Sequence, residues 1–317
     1  MPALLISLDF ELFWGVTDAR SLTGYRNNIE GVWNAIPKIL ELFRRYSIRA
    51  TWATVGMLMC RDYAQWRDTR PSVLPAYKYT QRSVYSLESI AYENPKFFFA
   101  QPLVTEILET PGQEIASHSY SHFYCRDPGA TTEQFAADLV CASAIGAEIG
   151  LEFKSFVFPR NQVEENCLIE LGKMGYQVFR GNADHWLYRE GHNVDFGYVG
   201  RGIRLVDAYL PISGNHTAKP SLLLGLINIP ASLSLRPWSQ HLTAFEPLRL
   251  LRLKSSMTEA AVTDRIFHLW WHPHNFGVNI EENIAVLASL LQHYQVLRNK
   301  YGMRSVQMAD FSKGVQL

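Results

Sequence analysis

The sequence predicts an α/β fold, a barrel-like sheet of parallel strands wrapped by helices, in one domain spanning residues 1–317. Three observations carry this expectation. Strand-like and helix-like segments alternate along most of the chain, the pattern of βαβ units with right-handed crossovers. The run Leu4-Leu5-Ile6-Ser7-Leu8 is continuously apolar but for one serine, as in a strand buried on both faces. Carboxylates and imidazoles gather where such runs end, and barrel folds mount their active faces there. With 317 residues, 47% of them hydrophobic, the chain can bury a core of that size.

The elements follow in order. After the first strand, Ile29, Val32, Trp33, Ile36, Ile39, Leu40 and Phe43 recur at helical spacing as far as Arg44-Arg45. Ile48 to Val55, closed by Gly56, is rich in β-branched residues and predicts a second strand. Residues 60–100 carry many aromatics with Pro71, Pro75 and Pro95, show no period, and are expected to form an insertion over one end of the sheet. Val104 to Leu108 predicts a helix that leads into a strand before Ser117. Thr131 and Gln134 have capping-box spacing after Pro128-Gly129 and open a helix that Gly150 ends. Phe153 to Phe158 predicts a strand stopped by Pro159, Glu164 to Met174 a helix stopped by Gly175, and Tyr176 to Arg180 another strand. Residues 185–255 are expected to hold a second insertion, a long connection with one or two helices. Ile266 to Trp271 predicts the last long strand, and Ile284, Leu287, Leu290, Leu291, Tyr294 and Leu297 the last long helix.

Composition narrows the function. A formal net charge of zero without a Lys/Arg run gives no electrostatic footprint for nucleic acid and no polybasic membrane patch. Cys60, Cys125, Cys141 and Cys167 lack paired spacing and read as free thiols of a reducing compartment. The first strand begins too early to leave room for an export leader, so a cytoplasmic location is the expectation. Leu222 to Pro230 is shorter than the roughly twenty apolar residues of a membrane span. Core packing is expected for it, with peripheral membrane contact as the alternative.

His118 and His122, four residues apart, are expected on one side of a helical turn, where both imidazoles reach one cation. A carboxylate from Asp9-Phe10-Glu11 at the end of the first strand can complete the set. Such a set leaves positions open for water and substrate, as a catalytic metal requires.

Six segments in order carry a resemblance: Leu8-Asp9-Phe10-Glu11, Ala50 to Gly56, Glu114 to His122, Phe158-Pro159-Arg160, Gly175 to Gly181, and Leu269-Trp270-Trp271-His272. Together they resemble the NodB-like polysaccharide deacetylases, carbohydrate esterases that remove acyl groups from sugars. The resemblance implies a distorted (β/α) barrel of the NodB-homology type with insertions. It also implies a divalent metal held by Glu11, His118 and His122; zinc suits these ligands, and Ni2+, Co2+ or Fe2+ fit them too. Asp9 falls on the family's base, although the usual motif has adjacent aspartates and this chain has Phe10 as a spacer and a glutamate, which leaves the division of roles between Asp9 and Glu11 open. His272 falls on the general acid, with His274 as its competitor. Arg160 resembles the arginine that orients the base, and Asp184, with Trp186 nearby, the residue that supports the acid. Trp14, Trp186, Trp270 and Trp271 are candidates to stack on a sugar.

The expected function is a metal-dependent deacetylase or deformylase acting on the N-acyl amide of an amino sugar in surface-polysaccharide biosynthesis, lipopolysaccharide O-antigen or a related polymer. Its substrate would be nucleotide-linked or lipid-linked. The alternatives are a non-sugar amidohydrolase of the same fold, allantoinase-like, and a sugar-binding protein that has lost catalysis.

Overall fold

A computed structural model describes residues 1–188 and 197–313. The strands are β1 (Ala3–Phe10), β2 (Ala50–Thr54), β3 (Gln113–Ser117), β4 (Ser155–Val157), β5 (Val178–Arg180), β6 (Ser221–Leu223), β7 (Leu226–Asn228), β8 (Leu233–Ser234), β9 (Ile266–Trp271) and β10 (Arg304–Val306). The helices are α1 (Leu22–Tyr46), α2 (Tyr63–Asp68), α3 (Glu88–Glu93), α4 (Gln101–Glu109), α5 (Thr132–Glu148), α6 (Glu165–Lys173), α7 (Gly197–Asp207), α8 (Glu246–Thr263) and α9 (Ile280–Tyr301). The sheet runs β6-β7-β5-β4-β3-β2-β1-β9-β8, with β10 added to β1, and among the described strand pairs only β6–β7 is antiparallel.

The sheet curls, and one extended segment joins its ends. Ile227, Ile229 and Ala231 donate backbone hydrogen bonds to the carbonyls of Gln177, Phe179 and Gly181 along β5, and Ser232 and Leu235 then donate to His268 and Trp270 of β9. The result is the distorted barrel that the alternation of strands and helices predicts. Pro230, which has no N–H to give, falls between Ile229 and Ala231, at a position where the first set of bonds asks for no donor.

Strand alternation sorts the core into two layers. Leu4, Ile6, Leu8 and Phe10 of β1 face outward and pack in one cluster with Ile36 and Phe43 of α1 and Leu290 of α9. Inward lies a second cluster of Leu5, Ala53, Val157, Val178, Ile229, Met308 and Phe311, which forms the floor of the barrel. The turn after β10 closes that floor: Met308 N donates to Thr51 Oγ1 at 2.8 Å and Ala309 N to the buried Glu114 Oε2 at 3.0 Å. Further along the same inward positions the residues become polar, Ser7 and then Asp9 on β1, Arg180 on β5 and His268 on β9, all buried. The apolar floor thus leads up to a polar rim at the C-terminal ends of the strands.

Both insertions differ in kind. Residues 60–100 fold into α2, α3 and short 3-10 turns around an aromatic cluster in which the Trp14 and Phe98 rings lie 4.5 Å apart and Trp14 Nε1 donates to Phe98 O at 2.7 Å. Residues 185–255 contain α7, the β6–β7 hairpin, β8 and the start of α8. Core packing was the expectation for Leu222 to Pro230, and it holds for one strand only: Leu226 and Ile229 are buried, whereas Leu222, Leu223 and Leu224 at the outer strand and turn are exposed. No described helix is long and apolar enough to cross a membrane.

Candidate metal centre

The centre is built around one carboxylate. Glu11 follows β1 directly, and the chain turns away at Leu12, whose φ is 47°. Its carboxyl lies against Gly15, where a Cβ would stand 1.9 Å from Glu11 Oε2, so a side chain at position 15 would displace the carboxylate.

His118 and His122 reach Glu11 from the loop after β3. This loop is not the helical turn that their spacing predicts: Ser119 and His122 are left-handed, with φ of 59° and 55°. The two rings stand 5.3 Å apart, tilted by 60°. Asp138, from the buried face of α5, holds the loop by accepting from Tyr120 N at 2.6 Å, from Ser121 N at 3.0 Å and from Ser121 Oγ. Burial pushes the Asp138 carboxyl up to about 6 despite these bonds. The cost of holding a carboxylate there is the cost of placing the two imidazoles.

His118 Nδ1 lies 2.7 Å from the Val157 carbonyl. A carbonyl only accepts, so Nδ1 carries a proton there, and Nε2 is the ring atom that faces Glu11 Oε1, at 3.1 Å. His122 Nε2 is 3.3 Å from the same oxygen, and both nitrogens of His122 are buried without a hydrogen bond. Glu11, His118 and His122 together offer three ligand atoms within reach of one ion. The two nitrogens stand 3.1 and 3.3 Å from Glu11 Oε1, a little inside the roughly 3.3–3.6 Å that separates neighbouring tetrahedral ligands of a cation bound at about 2.0–2.2 Å. The residues fit a divalent metal. Burial lowers the His122 pKa, Glu11 opposes that, and a neutral imidazole is what a metal needs.

Asp9 is held differently. Arg180 grips both its oxygens, at 2.6 and 2.7 Å, and also donates to Ser7 Oγ at 3.0 Å and Asn161 Oδ1 at 2.9 Å while lying 4.6 Å over the Trp270 ring. Burial, the largest single influence, raises the Asp9 pKa, but the charge and hydrogen bonds of Arg180, with the charges of His118 and His272, together outweigh it and keep the carboxyl below its usual range. Below this pair, Ser7 Oγ meets His268 Nε2 at 2.8 Å, and burial with Arg180 nearby holds His268 neutral, at about 3.

His272 completes the rim, its Nε2 3.5 Å from Glu11 Oε1 and 3.9 Å from Asp9 Oδ2. Burial lowers its pKa, yet the two carboxylates win and raise it. His274 does not reach the carboxylates; its ring stacks on His272 at 4.9 Å and meets Tyr25 edge-on at 5.5 Å, and burial holds it near 3.

Two expected partners lie elsewhere. The guanidinium beside Asp9 belongs to Arg180, not Arg160, because the turn after β4 puts Arg160 and Asn161 in left-handed conformation. Arg160 is carried across the rim to Asp18 and the Gly15 carbonyl, while Asn161 points in at Arg180. Asp184 is exposed on the loop after β5, and the carboxylates facing His272 are Glu11 and Asp9. Of the tryptophans, Trp14 and Trp271 are buried in the core, Trp186 is exposed, and Trp270 lines a cavity of about 480 Å³ beside the centre. Sequence reasoning passed over Arg180 and Asp138. Each had a signal: an arginine at an inward strand position, and an aspartate on the apolar face made by Phe135, Leu139, Ala142 and Ile145.

The polysaccharide deacetylase family signature matches residues 30–179, a stretch that contains His118 and His122 and leaves Asp9, Glu11 and His272 outside. No curated protein matches the sequence. Among solved structures, a putative polysaccharide deacetylase from Mycobacterium smegmatis is similar over 99% of this chain and 91% of its own, with 11% identity and a TM-score of 0.61. A GH57-type branching enzyme from Pyrococcus horikoshii is similar over 100% of this chain and 71% of its own, with 11% identity and a TM-score of 0.55. A 4-alpha-glucanotransferase from Thermococcus litoralis is similar over 99% of this chain and 41% of its own, with 10% identity and a TM-score of 0.57. At such identities these likenesses describe the fold.

Proposed function

We propose, for a chain whose residues 30–179 belong to the polysaccharide deacetylase family, a metal-dependent hydrolase that removes an acetyl or formyl group from the nitrogen of an amino sugar. The observation that carries the reading is the convergence of Glu11, His118 and His122 on one point, with Asp9 and His272 at its edge. When bound by Glu11, His118 and His122, a divalent metal, zinc first and nickel, cobalt or iron with the same ligands, supplies polarisation of the amide carbonyl and a more acidic water.

The chain's own residues do the proton work. Asp9 is ionised, and although Arg180 takes one lone pair on each oxygen, a second remains, so Oδ2 on the His272 side can accept the proton of the attacking water. Arg180 aims that carboxylate and lowers its basicity together. His272, whose pKa the carboxylates raise, gives its proton to the departing nitrogen, so that amide and water become amine and carboxylic acid. Arg160 and Asp184 have no part in these steps.

The substrate is an amino sugar handled during surface-polysaccharide synthesis, linked to a nucleotide or a lipid. Trp270 offers the cavity an aromatic wall, and four free cysteines suit the reducing cytoplasm in which such intermediates are assembled.

The test pairs metal analysis with turnover. Wild type purified without a histidine tag is expected to carry near-stoichiometric divalent metal and to release acetate or formate from a panel of N-acylated amino sugars. Metal without turnover on any sugar, but with turnover on small ureides or amides, would move the reading to a non-sugar amidohydrolase. Absence of metal even after its addition would leave a sugar-binding protein.

A further inference from the structure

We infer that Ser7, backed by His268, and Asn161 are positioning residues of the reaction: they lock the plane of Arg180 and through it aim Asp9. The inference rests on the amide-hydrolase reading for the role of Asp9. Every hydrogen on the terminal nitrogens of Arg180 has an acceptor. The inner ones go to Asp9, from Nη1 to Oδ1 at 2.6 Å and from Nη2 to Oδ2 at 2.7 Å. The outer ones diverge to opposite sides of the fork, from Nη1 to Ser7 Oγ at 3.0 Å and from Nη2 to Asn161 Oδ1 at 2.9 Å. These two contacts stop the guanidinium from turning in its own plane, and the Trp270 ring, 4.6 Å away, holds one face. The described hydrogen bonds to the Asp9 carboxylate all come from Arg180, so whatever fixes the guanidinium fixes the base.

Ser7 serves this purpose in one hydroxyl orientation only. A guanidinium donates and never accepts, so Ser7 Oγ turns a lone pair toward Nη1 and sends its own proton elsewhere. His268 Nε2, 2.8 Å away, is where it goes. Burial and the Arg180 charge keep the His268 ring neutral, so one ring nitrogen is able to accept. A proton on Nε2 would instead leave the buried hydroxyl accepting twice with its own hydrogen unpaired, which burial penalises. His268 therefore accepts at Nε2 and carries its proton on Nδ1. Its backbone is pinned by one residue, Ser232, whose Oγ accepts from His268 N at 2.9 Å and whose N donates to His268 O at 2.8 Å. Asn161 is set from the other side of the fork, by its left-handed φ of 54° and by a carbonyl that accepts from Asn182 Nδ2 at 3.0 Å. The inward residue before Ser7 on β1 is Leu5 of the floor, and apolar residues at Ser7 and His268 would extend that floor. The polar pair standing there serves Arg180.

The test uses the metal-loaded protein and the N-acylated amino sugar it cleaves best. Ser7→Ala and Asn161→Ala are expected to lower kcat about 10–100-fold, the scale of outer-shell partners, with KM and metal content unchanged. His268→Leu should match Ser7→Ala, whereas His268→Gln, whose amide oxygen can accept in place of Nε2, should keep most of the wild-type rate. Adding His268→Leu to Ser7→Ala should cost nothing further, because the two residues act as one chain. A kcat for Ser7→Ala within about twofold of wild type, equal losses in the two His268 variants, or loss of metal from Ser7→Ala overturns the inference while leaving amide hydrolysis intact. Asn161→Ala, in a half-buried loop, decides should Ser7→Ala not fold. The lock is also read without turnover, by magnetic resonance of protein carrying isotope-labelled arginine. The Hη resonances that shift in Asp9→Asn belong to Arg180; they are expected to be sharp and slow to exchange with water in wild type, and broadened in Ser7→Ala. Broad signals in wild type, or sharp ones in Ser7→Ala, overturn the inference. A lock that behaves as expected in a protein that cleaves no acylated sugar supports the positioning chain and overturns the hydrolase reading instead.

Discussion

His118 and His122 follow β3, and His272 and His274 follow β9, so the barrel presents two histidine pairs at the same end of neighbouring parts of its sheet. In the first pair both imidazoles come to Glu11 Oε1, at 3.1 and 3.3 Å. In the second only His272 does, at 3.5 Å, and His274 is packed behind it against Tyr25. The backbones account for the difference. The β3 loop uses two left-handed residues and a buried carboxylate clamp, Asp138, to bring both rings around. The β9 turn is pressed onto α1, where Asn28 Nδ2 donates to the His274 carbonyl at 3.1 Å and a Cβ on Gly277 would stand 1.9 Å from the Asn28 carbonyl oxygen. That close approach fixes the turn with His274 inside it. Spacing alone does not make a ligand pair; the element that carries the pair decides which way each ring points.

Substitutions test the contrast. The largest effect is expected at the first pair: His118→Ala or His122→Ala should abolish stoichiometric metal, read by elemental analysis, and take hydrolysis to background. His272→Gln should keep the metal and lose about 10²–10⁴-fold in rate, the usual worth of a general acid. Because its pKa is raised above 6.5, the proton it donates is present at low pH and lost as pH rises through that raised value. The pH profile of kcat/KM should therefore fall on its alkaline side, and this limb should vanish in His272→Gln.

The next effect separates the two arginines. Arg180→Met would leave Asp9 buried and unpaired and should destabilise the fold by about 3–5 kcal/mol. Arg160→Met, which removes a partly exposed pair, should cost about 0–1 kcal/mol. Denaturant unfolding at neutral pH measures both, and equal losses would reverse the assignment of Arg180. Asp9 has a lowered folded pKa, so its contribution is present above its unfolded value of 3.8 and is lost as pH falls through the folded one.

Asp138→Ala should weaken metal binding by about 10–100-fold without removing a ligand, the scale of an outer-shell contact. Its carboxyl has the opposite linkage to that of Asp9: a folded pKa raised from 3.8 to about 6 favours folding at low pH, and that advantage is lost as pH rises from about 4 to about 6. The unfolding midpoint of Asp138→Asn should lose this pH dependence. The smallest effect is expected at His274. His274→Gln should keep the metal and change the rate by less than about tenfold; a loss as large as that at His272 would mean that the second pair also acts as a pair.

Much of the fold is legible in the chain. The predicted helix starting at Thr131 has its capping box, with both reciprocal hydrogen bonds made, and the last long strand is Ile266–Trp271 as its pattern indicates. These features depend on neighbours in sequence, through periodicity and local hydrogen bonds. The segment from Leu226 to Leu235 was harder to read, because its role, pairing with β5 first and β9 afterwards, depends on two strands distant in sequence. The site divides likewise. Asp9, Glu11, His118, His122 and His272 stand out as polar residues at the ends of apolar strands, and the fold brings them together.

The amino-acid sequence by itself determined the alternation of elements, the apolar floor and polar rim of the inward positions, and the residue types able to hold a metal. Tertiary structure alone decided which arginine meets Asp9 and which histidine of the second pair turns inward. Sequence patterns report the period of a strand or helix and so the face on which a side chain lies. The direction of a side chain at an irregular turn depends on one or two φ angles and on the element packed against it, as at Arg160 and Asn161, and no local period encodes either.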